Sequence, residues 1–394
     1  MKAAAANRRG QVARMINGAE AMAIGYDLAG VRLSYSYPIT PQVEVMEAFS
    51  RNTRITAVQA DSEYNVLAGA QGVAWAGERC AVATSSQGLI LMSEVMWEVA
   101  GNRLPLVMGV FNRALKGPGW CLGAHQNDTL FMRDTGWLQF YCETAQEVLD
   151  LLLIAFRVAE EVSLPAMVAG DGFYLSHETE EVLIPERREA LAFVGERVRH
   201  GPPMTDAHAN YGGLVPPARY FRFYQRLHHD VARAATVFEA AAAEFADRFG
   251  RRYTLAAPTA TQDAECVVVS AGTICGTVRD VVERRRAAGD RVGLVKLHSF
   301  RPFPGAALVQ AVGSASRVIV LDRNLAPGLG GVFAAEARLA FRRHQHPATI
   351  YSMVTGLGGS DVTPETVERA LEFVARSKGT PPETLFLHEG GIEE

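Results

Sequence analysis

Apolar residues form short continuous runs that alternate with longer segments in which apolar positions recur every three or four residues. The runs CAVATSS (80–86), LPLVMGVF (104–111) and LPAMVAG (164–170) predict strands buried on both faces. Residues 145–162, AQEVLDLLLIAFRVAEEV, show a long helical pattern, and 62–77 form an Ala- and Gly-rich helix pattern. Buried strands that alternate with helices predict a parallel sheet covered on both sides.

The same alternation restarts at Cys266, where CVVVSAG, RVGLVKLHSF, RVIVLDRN and ATIYSMVTG predict strands separated by helices. Residues 186–262 differ, because a stretch rich in Pro, Gly, His and Arg precedes one long predicted helix at about 217–249. We therefore predict an α/β fold with two doubly wound, mostly parallel sheets. The predicted division is a domain at 1–185, a surface linker at 186–262, a domain at 263–380 and a polar tail at 381–394.

Two local predictions concern the first domain. Residues 41–49 are expected to form a helix, with Thr40 as its N-cap and Pro41 at the first helical position. Residues 88–100 are expected to form one amphipathic helix.

Composition narrows the functional class. The 394 residues are 48% hydrophobic and 21% charged, as in ordinary globular proteins, and 39 basic against 43 acidic residues give a net charge of −4. A mildly acidic chain without a strong basic run is a poor candidate for nucleic-acid binding. The apolar runs are far shorter than the roughly 20 residues of a membrane helix. We therefore expect neither nucleic acid nor membrane as a partner.

The cysteines indicate a reducing compartment. Five widely spaced cysteines contain no CxxC pair, so we expect no metal site and no iron–sulfur ligand set in this chain. The basic N-terminal residues are not followed by an apolar run, so we expect no secretory signal and a cytoplasmic protein.

Candidate chemistry lies where the predicted strands end, because ligands of parallel sheets bind beyond the carboxyl ends of the strands. Thr40, the Ser85–Gln87 cluster and Arg113 follow three of these strands, and Glu63 opens the Ala/Gly-rich helix. Together they provide polar groups, a cation and a carboxylate at one edge of the sheet.

Six segments of the first domain carry a family resemblance, and three more in the second domain agree with it in order. They are SYPITPQVEVMEAF, ADSEYNVLAGAQGVAWAG, ATSSQGLILMSEVMWEVAG, LPLVMGVFNRA, RDTGWLQFY and GDGFYLSHE, then LVKLHSFRPFP, LDRNLAPGLGG and TGLGGSDVTPE. In these segments the chain resembles the α subunit of the 2-oxoacid:ferredoxin oxidoreductases, which depend on thiamine diphosphate and include the pyruvate synthases. The resemblance implies a thiamine pyrimidine-binding-like first domain and a transketolase C-terminal-like second domain.

For Glu63 two interpretations remain open. As a carboxylate in the first turn of a helix it would contribute about 0.3–1 kcal/mol to helix stability. The resemblance implies instead that Glu63 shares a proton with the pyrimidine nitrogen N1′ of thiamine and so activates the cofactor. The same resemblance places Pro38, Ile39, Ser85 and Gln87 beside the cofactor.

Two interpretations are also open for Thr40 and Arg113. In the purely structural one, Thr40 caps a helix and Arg113 forms a surface ion pair. The resemblance implies that both face the substrate, where an arginine binds the carboxylate of a 2-oxo acid in bidentate fashion.

The chain is expected to hold half of an active site. The segment GDGF at 170–173 is not followed by the Asn that a magnesium–diphosphate motif requires, so Asp171 is expected to be structural. The resemblance implies a β subunit that completes the thiamine site, Mg²⁺ and iron–sulfur clusters held by partner subunits, coenzyme A as co-substrate, and ferredoxin or another electron acceptor.

The loop after Arg113 departs from the family pattern. It reads NRALKGPGWCLGAHQNDTLF, with Ala124 where the family usually has Asp, and with Trp120 and Cys121 nearby. We expect this loop to border the substrate, although Trp120 has the alternative of anchoring the loop in the core. Pyruvate is the expected substrate. The alternative is an aryl or branched 2-oxo acid such as phenylglyoxylate, with NAD as a further candidate for the final acceptor.

The sequence argues against two rival functions. A dehydrogenase acting alone requires a G-x-G-x-x-G turn after a strand, and the glycine-rich segments at 328–331 and 356–359 do not fit that spacing. A non-catalytic structural subunit is the rival of another class, and the presence of Thr40, Glu63 and Arg113 argues against it.

Overall fold

The computed structural model describes residues 10–197 and 213–393. Residues 198–212, which belong to the predicted linker, lie outside the described residues. Most of the described chain forms two seven-stranded sheets with helices on both sides, and a two-stranded sheet accompanies them. The prediction of an α/β fold is confirmed.

The elements up to residue 194 are as follows in chain order: β1 (Gln11–Asn17), α1 (Gly18–Leu28), β2 (Leu33–Ser36), α2 (Val43–Arg51), β3 (Thr56–Gln59), α3 (Glu63–Trp75), β4 (Cys80–Thr84), α4 (Gln87–Leu91), α5 (Ser93–Gly101), β5 (Val107–Asn112), α6 (Asn127–Phe131), β6 (Leu138–Cys142), α7 (Ala145–Val162), β7 (Ala166–Asp171), α8 (Tyr174–His177), β8 (Thr179–Pro185) and α9 (Arg187–Val194).

The elements after residue 213 are α10 (Pro217–Phe249), β9 (Ala256–Thr259), β10 (Cys266–Ser270), α11 (Ile274–Ala287), β11 (Val292–Leu297), β12 (Ser299–Arg301), α12 (Gly305–Val312), β13 (Arg317–Asp322), α13 (Val332–Arg343), β14 (Thr349–Val354), α14 (Pro364–Arg376), β15 (Leu385–His388) and β16 (Gly391–Glu393).

The first large sheet has the strand order β12-β6-β7-β5-β4-β2-β3. Its six strands from the first half of the chain are mutually parallel, and β12 pairs antiparallel with β6 at the edge. Strands β4 to β7 are buried along their whole length, as their continuous apolar sequences predict. All parallel strands of this sheet therefore end at the same edge.

The second large sheet has the order β16-β15-β14-β13-β10-β11-β9. Its central strands are parallel, whereas β9 and β16 pair antiparallel at the two edges. Strand β9 comes from the predicted linker, and β15 and β16 come from the predicted tail. These segments thus contribute strands to the second sheet, while the domain boundaries themselves stay a prediction.

Helix α10 is more than a surface linker. Its buried Phe238 stacks on Phe140 of β6 with ring centroids 5.2 Å apart, and its Phe245 meets Phe193 of α9 edge-to-face at 5.2 Å. The helix therefore completes the core on one side of the first sheet. The sequence did not predict this packing, because the apolar positions of α10 are spread over 33 residues.

Three local predictions were wrong. Helix α2 begins at Val43 after Gln42, so Thr40 is not its N-cap, and the Thr40–Pro41 peptide bond is cis. The predicted helix at 88–100 is two helices, α4 and α5, that meet at Met92. The predicted strand RVGLVKLHSF divides into β11 and β12, which belong to different sheets.

The two halves of the chain share a seam of buried charges. Lys296 of β11 donates to Glu143 at 2.7 Å and also to Glu147, and Arg279 of α11 donates to Glu143 at 2.7 Å. Burial alone would raise the pKa of the Glu143 carboxyl, but Arg279 and Lys296 outweigh it and hold that pKa below its ordinary value. Glu147 is likewise buried, and His298 and Lys296 hold its pKa well below the ordinary range.

Within 10–197 and 213–393, every helix is too short or too polar to cross a bilayer.

Candidate active site

Glu63 is the first residue of α3 and lies at the strand-end edge of the first sheet. Ser62 caps the helix by accepting a hydrogen bond from the Asn65 amide at 3.3 Å. Residue Glu63 is only 8% exposed, and its carboxylate interacts electrostatically with the Arg113 cation. A largely buried acceptor of this kind favours a ligand that donates a hydrogen bond to it.

Gly88 of α4 allows the close packing around Glu63. A Cβ atom at position 88 would lie 2.9 Å from Glu63 Cγ and 2.2 Å from Thr84 Oγ1. Any side chain here would therefore displace Glu63. The glycine, which sequence reasoning overlooked, sets the space around the carboxylate.

The turn from β4 into α4 carries polar groups and backbone strain. Ser86 has φ 49°, a left-handed conformation that is unfavourable for a residue with a side chain. Its Oγ lies 2.7 Å from both Ala114 O and Gln87 Oε1. The hydroxyls of Thr84 and Ser85 are buried and have no hydrogen-bond partner in the structure. The strand end therefore presents unused hydrogen-bonding groups close to Glu63.

Arg113 follows β5 and is only 4% exposed. Its guanidinium donates to the Thr40 carbonyl at 2.5 Å and to Gln87 Oε1 at 2.8 Å, while its Nε is buried without a partner. Burial lowers the pKa of Arg113, and the charges of Asp128 and Glu63 oppose that effect. The guanidinium stays cationic because its ordinary pKa lies far above neutrality.

Thr40 reaches this cluster through its backbone. Its carbonyl accepts from Arg113, and its side chain is exposed on the loop between β2 and α2. Ile39 and Gln42 close a turn there, with the Gln42 amide 2.6 Å from the Ile39 carbonyl, and Pro38 is exposed. The strand-end residues predicted from sequence thus lie in one region, with the Thr40 hydroxyl free to meet a ligand.

Asp128 of α6 is a central residue that sequence reasoning missed. It is fully buried and accepts hydrogen bonds from the amides of Ser86 (2.9 Å) and Arg113 (3.0 Å). Burial raises the pKa of Asp128 to about 6 against the effect of these hydrogen bonds, so the carboxyl is ionised at neutral pH. No local pattern in the sequence indicates this role, because the Arg113 and Ser86 donors lie 15 and 42 positions away.

The loop after Arg113 covers the cluster. Trp120 is 65% exposed, so it does not anchor the loop in the core, and its ring lies 5.7 Å from the Arg113 guanidinium carbon and 4.6 Å from Lys116 Nζ. Cys121 Sγ lies 3.3 Å from Gly358 O, and Ala124 is buried with its carbonyl bonded to the Gly359 amide at 2.9 Å. The loop therefore rests on the glycine-rich turn of the second half, with Trp120 on its exposed side.

Asp171 joins the two halves. Its carboxylate accepts from the amide and the hydroxyl of Thr273 at 2.8 and 2.6 Å, and from Gln126 Nε2 at 3.2 Å. This packing agrees with a structural role. Within the described residues, no group of three or more His, Cys, Asp or Glu side chains is arranged to hold a metal ion.

Known protein families match both halves of the chain. A family model described as pyruvate flavodoxin/ferredoxin oxidoreductase, thiamine diphosphate-binding, matches residues 25–243, and one described as pyruvate:ferredoxin oxidoreductase core domain II matches residues 264–367. The pyruvate synthase subunit PorA of Methanothermobacter thermautotrophicus is 35% identical over 374 residues, which cover 93% of this chain and 96% of the relative. This chain belongs to the family of 2-oxoacid:ferredoxin oxidoreductase α subunits.

A second kind of relative matches this α subunit equally well. The ketoisovalerate oxidoreductase subunit VorA of Pyrococcus abyssi is 36% identical over 368 residues, which cover 92% of this chain and 93% of the relative. The family predicted from the nine motifs is therefore confirmed, and the identities do not separate the two substrates that the relatives' names state.

Solved structures show the same fold. The 2-oxoglutarate:ferredoxin oxidoreductase from Magnetococcus marinus superimposes with a TM-score of 0.69 at 18% identity, and the match covers 92% of this chain and 65% of that one. A split-gene transketolase gives a TM-score of 0.52 at 12% identity over 90% of this chain and 93% of the other. At these identities the likeness establishes the fold alone. The α subunit spans about two thirds of the length of the Magnetococcus marinus chain.

Proposed function

We propose that this α subunit is a catalytic subunit of a coenzyme A-acylating 2-oxoacid oxidoreductase. The complex would decarboxylate a 2-oxo acid oxidatively, transfer the acyl group to coenzyme A and pass electrons through iron–sulfur clusters to ferredoxin. The observation that carries this proposal is the Glu63 carboxylate at the strand ends, in a residue only 8% exposed and close enough to the buried Arg113 guanidinium to interact with its charge.

The residues present fit the pyrimidine half of thiamine diphosphate. Glu63 offers a largely buried carboxylate, and the buried hydroxyls of Thr84 and Ser85 lack hydrogen-bond partners. When bound, the cofactor supplies a carbon nucleophile that attacks the 2-oxo group and holds the electrons left by decarboxylation. The part of Glu63 is to hold a proton at the pyrimidine nitrogen N1′. Pro38, Ile39, Ser85 and Gln87 would line the ring.

Arg113 and Thr40 would place the substrate. Two donors of Arg113 are committed to the Thr40 carbonyl and Gln87, so the guanidinium is held in one orientation with further N–H groups available. A carboxylate accepts such groups in bidentate fashion, and the exposed Thr40 hydroxyl is a further donor. This pre-organisation lowers the entropy cost of orienting a 2-oxo acid.

Partner subunits are required for the remaining chemistry. The curated relatives are named as subunits. Large apolar side chains are exposed on the helices around Glu63, namely Tyr64, Leu91, Trp97 and Phe131. We propose that a β subunit covers this surface and brings the diphosphate and Mg²⁺ site, and that an iron–sulfur subunit carries electrons to ferredoxin or another acceptor.

Pyruvate is the proposed substrate, and a bulkier 2-oxo acid is the second candidate. Two observations support a bulkier substrate as the second candidate. One relative is named for ketoisovalerate, and the exposed Trp120 lies over the Arg113 guanidinium. The ratio of kcat/KM for pyruvate to that for ketoisovalerate and phenylglyoxylate on the purified complex decides between them. We also propose that the complex works in the cytoplasm, because the five cysteines are free thiols.

The test of the function is Glu63→Gln in the assembled complex. The amide cannot take up the proton, so coenzyme A-dependent 2-oxo acid oxidation is expected to fall by at least about 100-fold, at the low end of general acid–base effects. Glu365→Gln is the matched control, because Glu365 also lies in the first turn of a helix, is exposed and belongs to α14, away from the strand ends of the first sheet. Near-normal turnover of Glu63→Gln with bound cofactor would overturn the assignment.

A further inference from the structure

Asp128 is surrounded by hydrogen-bond donors. One carboxylate oxygen accepts from the amides of Ser86 and Arg113, at 2.9 and 3.0 Å. The other accepts from Asn112 Nδ2 at 2.6 Å and from the Thr129 amide at 2.8 Å. Four donors thus converge on one fully buried side chain.

The four donors around Asp128 require a side chain that only accepts hydrogen bonds. An ionised carboxylate accepts at both oxygens, whereas a carboxamide has one accepting end and one donating end. If asparagine replaced Asp128, its NH₂ group would face two N–H donors in either orientation. Asp and Asn have nearly the same volume, so it is the hydrogen-bond donors, and not the packing, that favour Asp over Asn at position 128.

The two amides that donate to one oxygen of Asp128 come from two different strand ends. Ser86 belongs to the turn after β4, and Arg113 follows β5. The side chains of these two segments meet again where Gln87 accepts from the Arg113 guanidinium at 2.8 Å. Asp128 therefore holds the main chain at both strand ends, while the Arg113 guanidinium makes its own contact with the Thr40 carbonyl.

We propose that Asp128 is a positioning residue that aims the Arg113 guanidinium at the substrate carboxylate by fixing the main chain at Arg113 and at the strained Ser86. This rests on the proposed substrate role of Arg113. Asp128 itself contacts no substrate. The strain at Ser86 supports the proposal, because a residue with φ 49° keeps that conformation only where surrounding contacts hold it.

The experiment measures binding and turnover separately in the purified complex. Asp128→Asn is compared with Asp150→Asn, since Asp150 of α7 is also fully buried and accepts from Arg251 and Tyr253, away from the strand ends. Oxamate, an unreactive isostere of pyruvate, serves as the probe in calorimetry. We expect Asp128→Asn to raise the oxamate Kd and the pyruvate KM about tenfold, with kcat changed less.

Asp150→Asn is expected to lower Tm without raising either constant. If both variants lower Tm and neither raises the oxamate Kd, Asp128 is merely structural and the inference is overturned. If Asp128→Asn does not assemble, Asn112→Ala replaces it. That variant removes one donor and keeps the carboxylate, and it is expected to raise the oxamate Kd about threefold; an unchanged Kd overturns the inference.

Arg113→Ala separates this inference from the proposed function. If Arg113→Ala raises the oxamate Kd and adding Asp128→Asn raises it no further, the two residues act as one unit and the inference is supported. If the two effects add fully, Asp128 does not act through Arg113 and the inference fails while the proposed function stands. If Arg113→Ala leaves the Kd unchanged, the substrate role of Arg113 and the inference fall together.

Discussion

Two buried polar regions of this α subunit contrast in how completely their groups are paired. In the seam between the halves, Glu143, Glu147 and Lys296 satisfy one another, with Arg279 and His298 closing the network. At the strand ends, the buried hydroxyls of Thr84 and Ser85 have no hydrogen-bond partners among the described residues. Pairing stabilises the seam, whereas we propose that the unpaired hydroxyls at the strand ends serve a ligand.

The largest expected effect comes from unpairing the seam. Lys296→Met leaves two buried carboxylates facing each other, and the loss of one partner from a buried ion pair costs about 3–5 kcal/mol. Thermal unfolding should therefore begin at a much lower temperature. Lys378→Met is the control because Lys378 is exposed. Equal Tm values for the two variants would show that the seam charges do not stabilise the fold.

Acid should weaken the same seam. The folded-state pKa values of Glu143 and Glu147 lie below the ordinary 4.5, so their contribution to stability is present above about pH 4.5 and is lost as the pH falls below it. Tm measured from pH 7 to about pH 2 should decline below about pH 4.5, and the Tm of Glu143→Gln should decline less steeply from a lower starting value. Parallel curves for the two proteins would contradict this assignment.

The smallest effect on stability is expected at the strand ends, where a substitution should stabilise the protein slightly or leave its stability unchanged. Ser85→Ala removes a buried hydroxyl that has no partner, so the free energy of unfolding should stay equal or rise by up to about 1 kcal/mol while turnover falls. Ser270→Ala is the matched control, because the equally buried Ser270 donates to Leu321 O at 2.8 Å and its loss should destabilise the protein. A clear loss of stability in Ser85→Ala would mean that its hydroxyl is satisfied.

The sequence predicted the elements whose limits are set locally. Helix α7 was predicted at 145–162 and lies there, because Thr144 caps its start and the left-handed Ser163 ends it. The same holds for the buried strands, whose continuous apolar runs are explicit in the sequence. Glu63 and Arg113 were found through motifs, and the structure brings them to one edge.

What sequence reasoning missed depends on contacts distant along the chain. Asp128 is defined by donors at residues 86 and 113, and the packing of α10 is defined by aromatic residues of β6 and α9. The prediction for Thr40 was wrong for a related reason. A Thr-Pro pair before an amphipathic segment has the pattern of a helix start, but the helix begins two residues after Pro41.

The short strand β12 has a consequence for synthesis on the ribosome. It is made from residues 299–301, yet it forms the edge of the first sheet beside β6, whose five residues are all buried. During synthesis, the edge of β6 stays unpaired until more than 150 further residues have emerged and β12 can form. An uncovered strand of this kind pairs readily with other chains, so we expect aggregation of this protein to start most easily from its nascent first half.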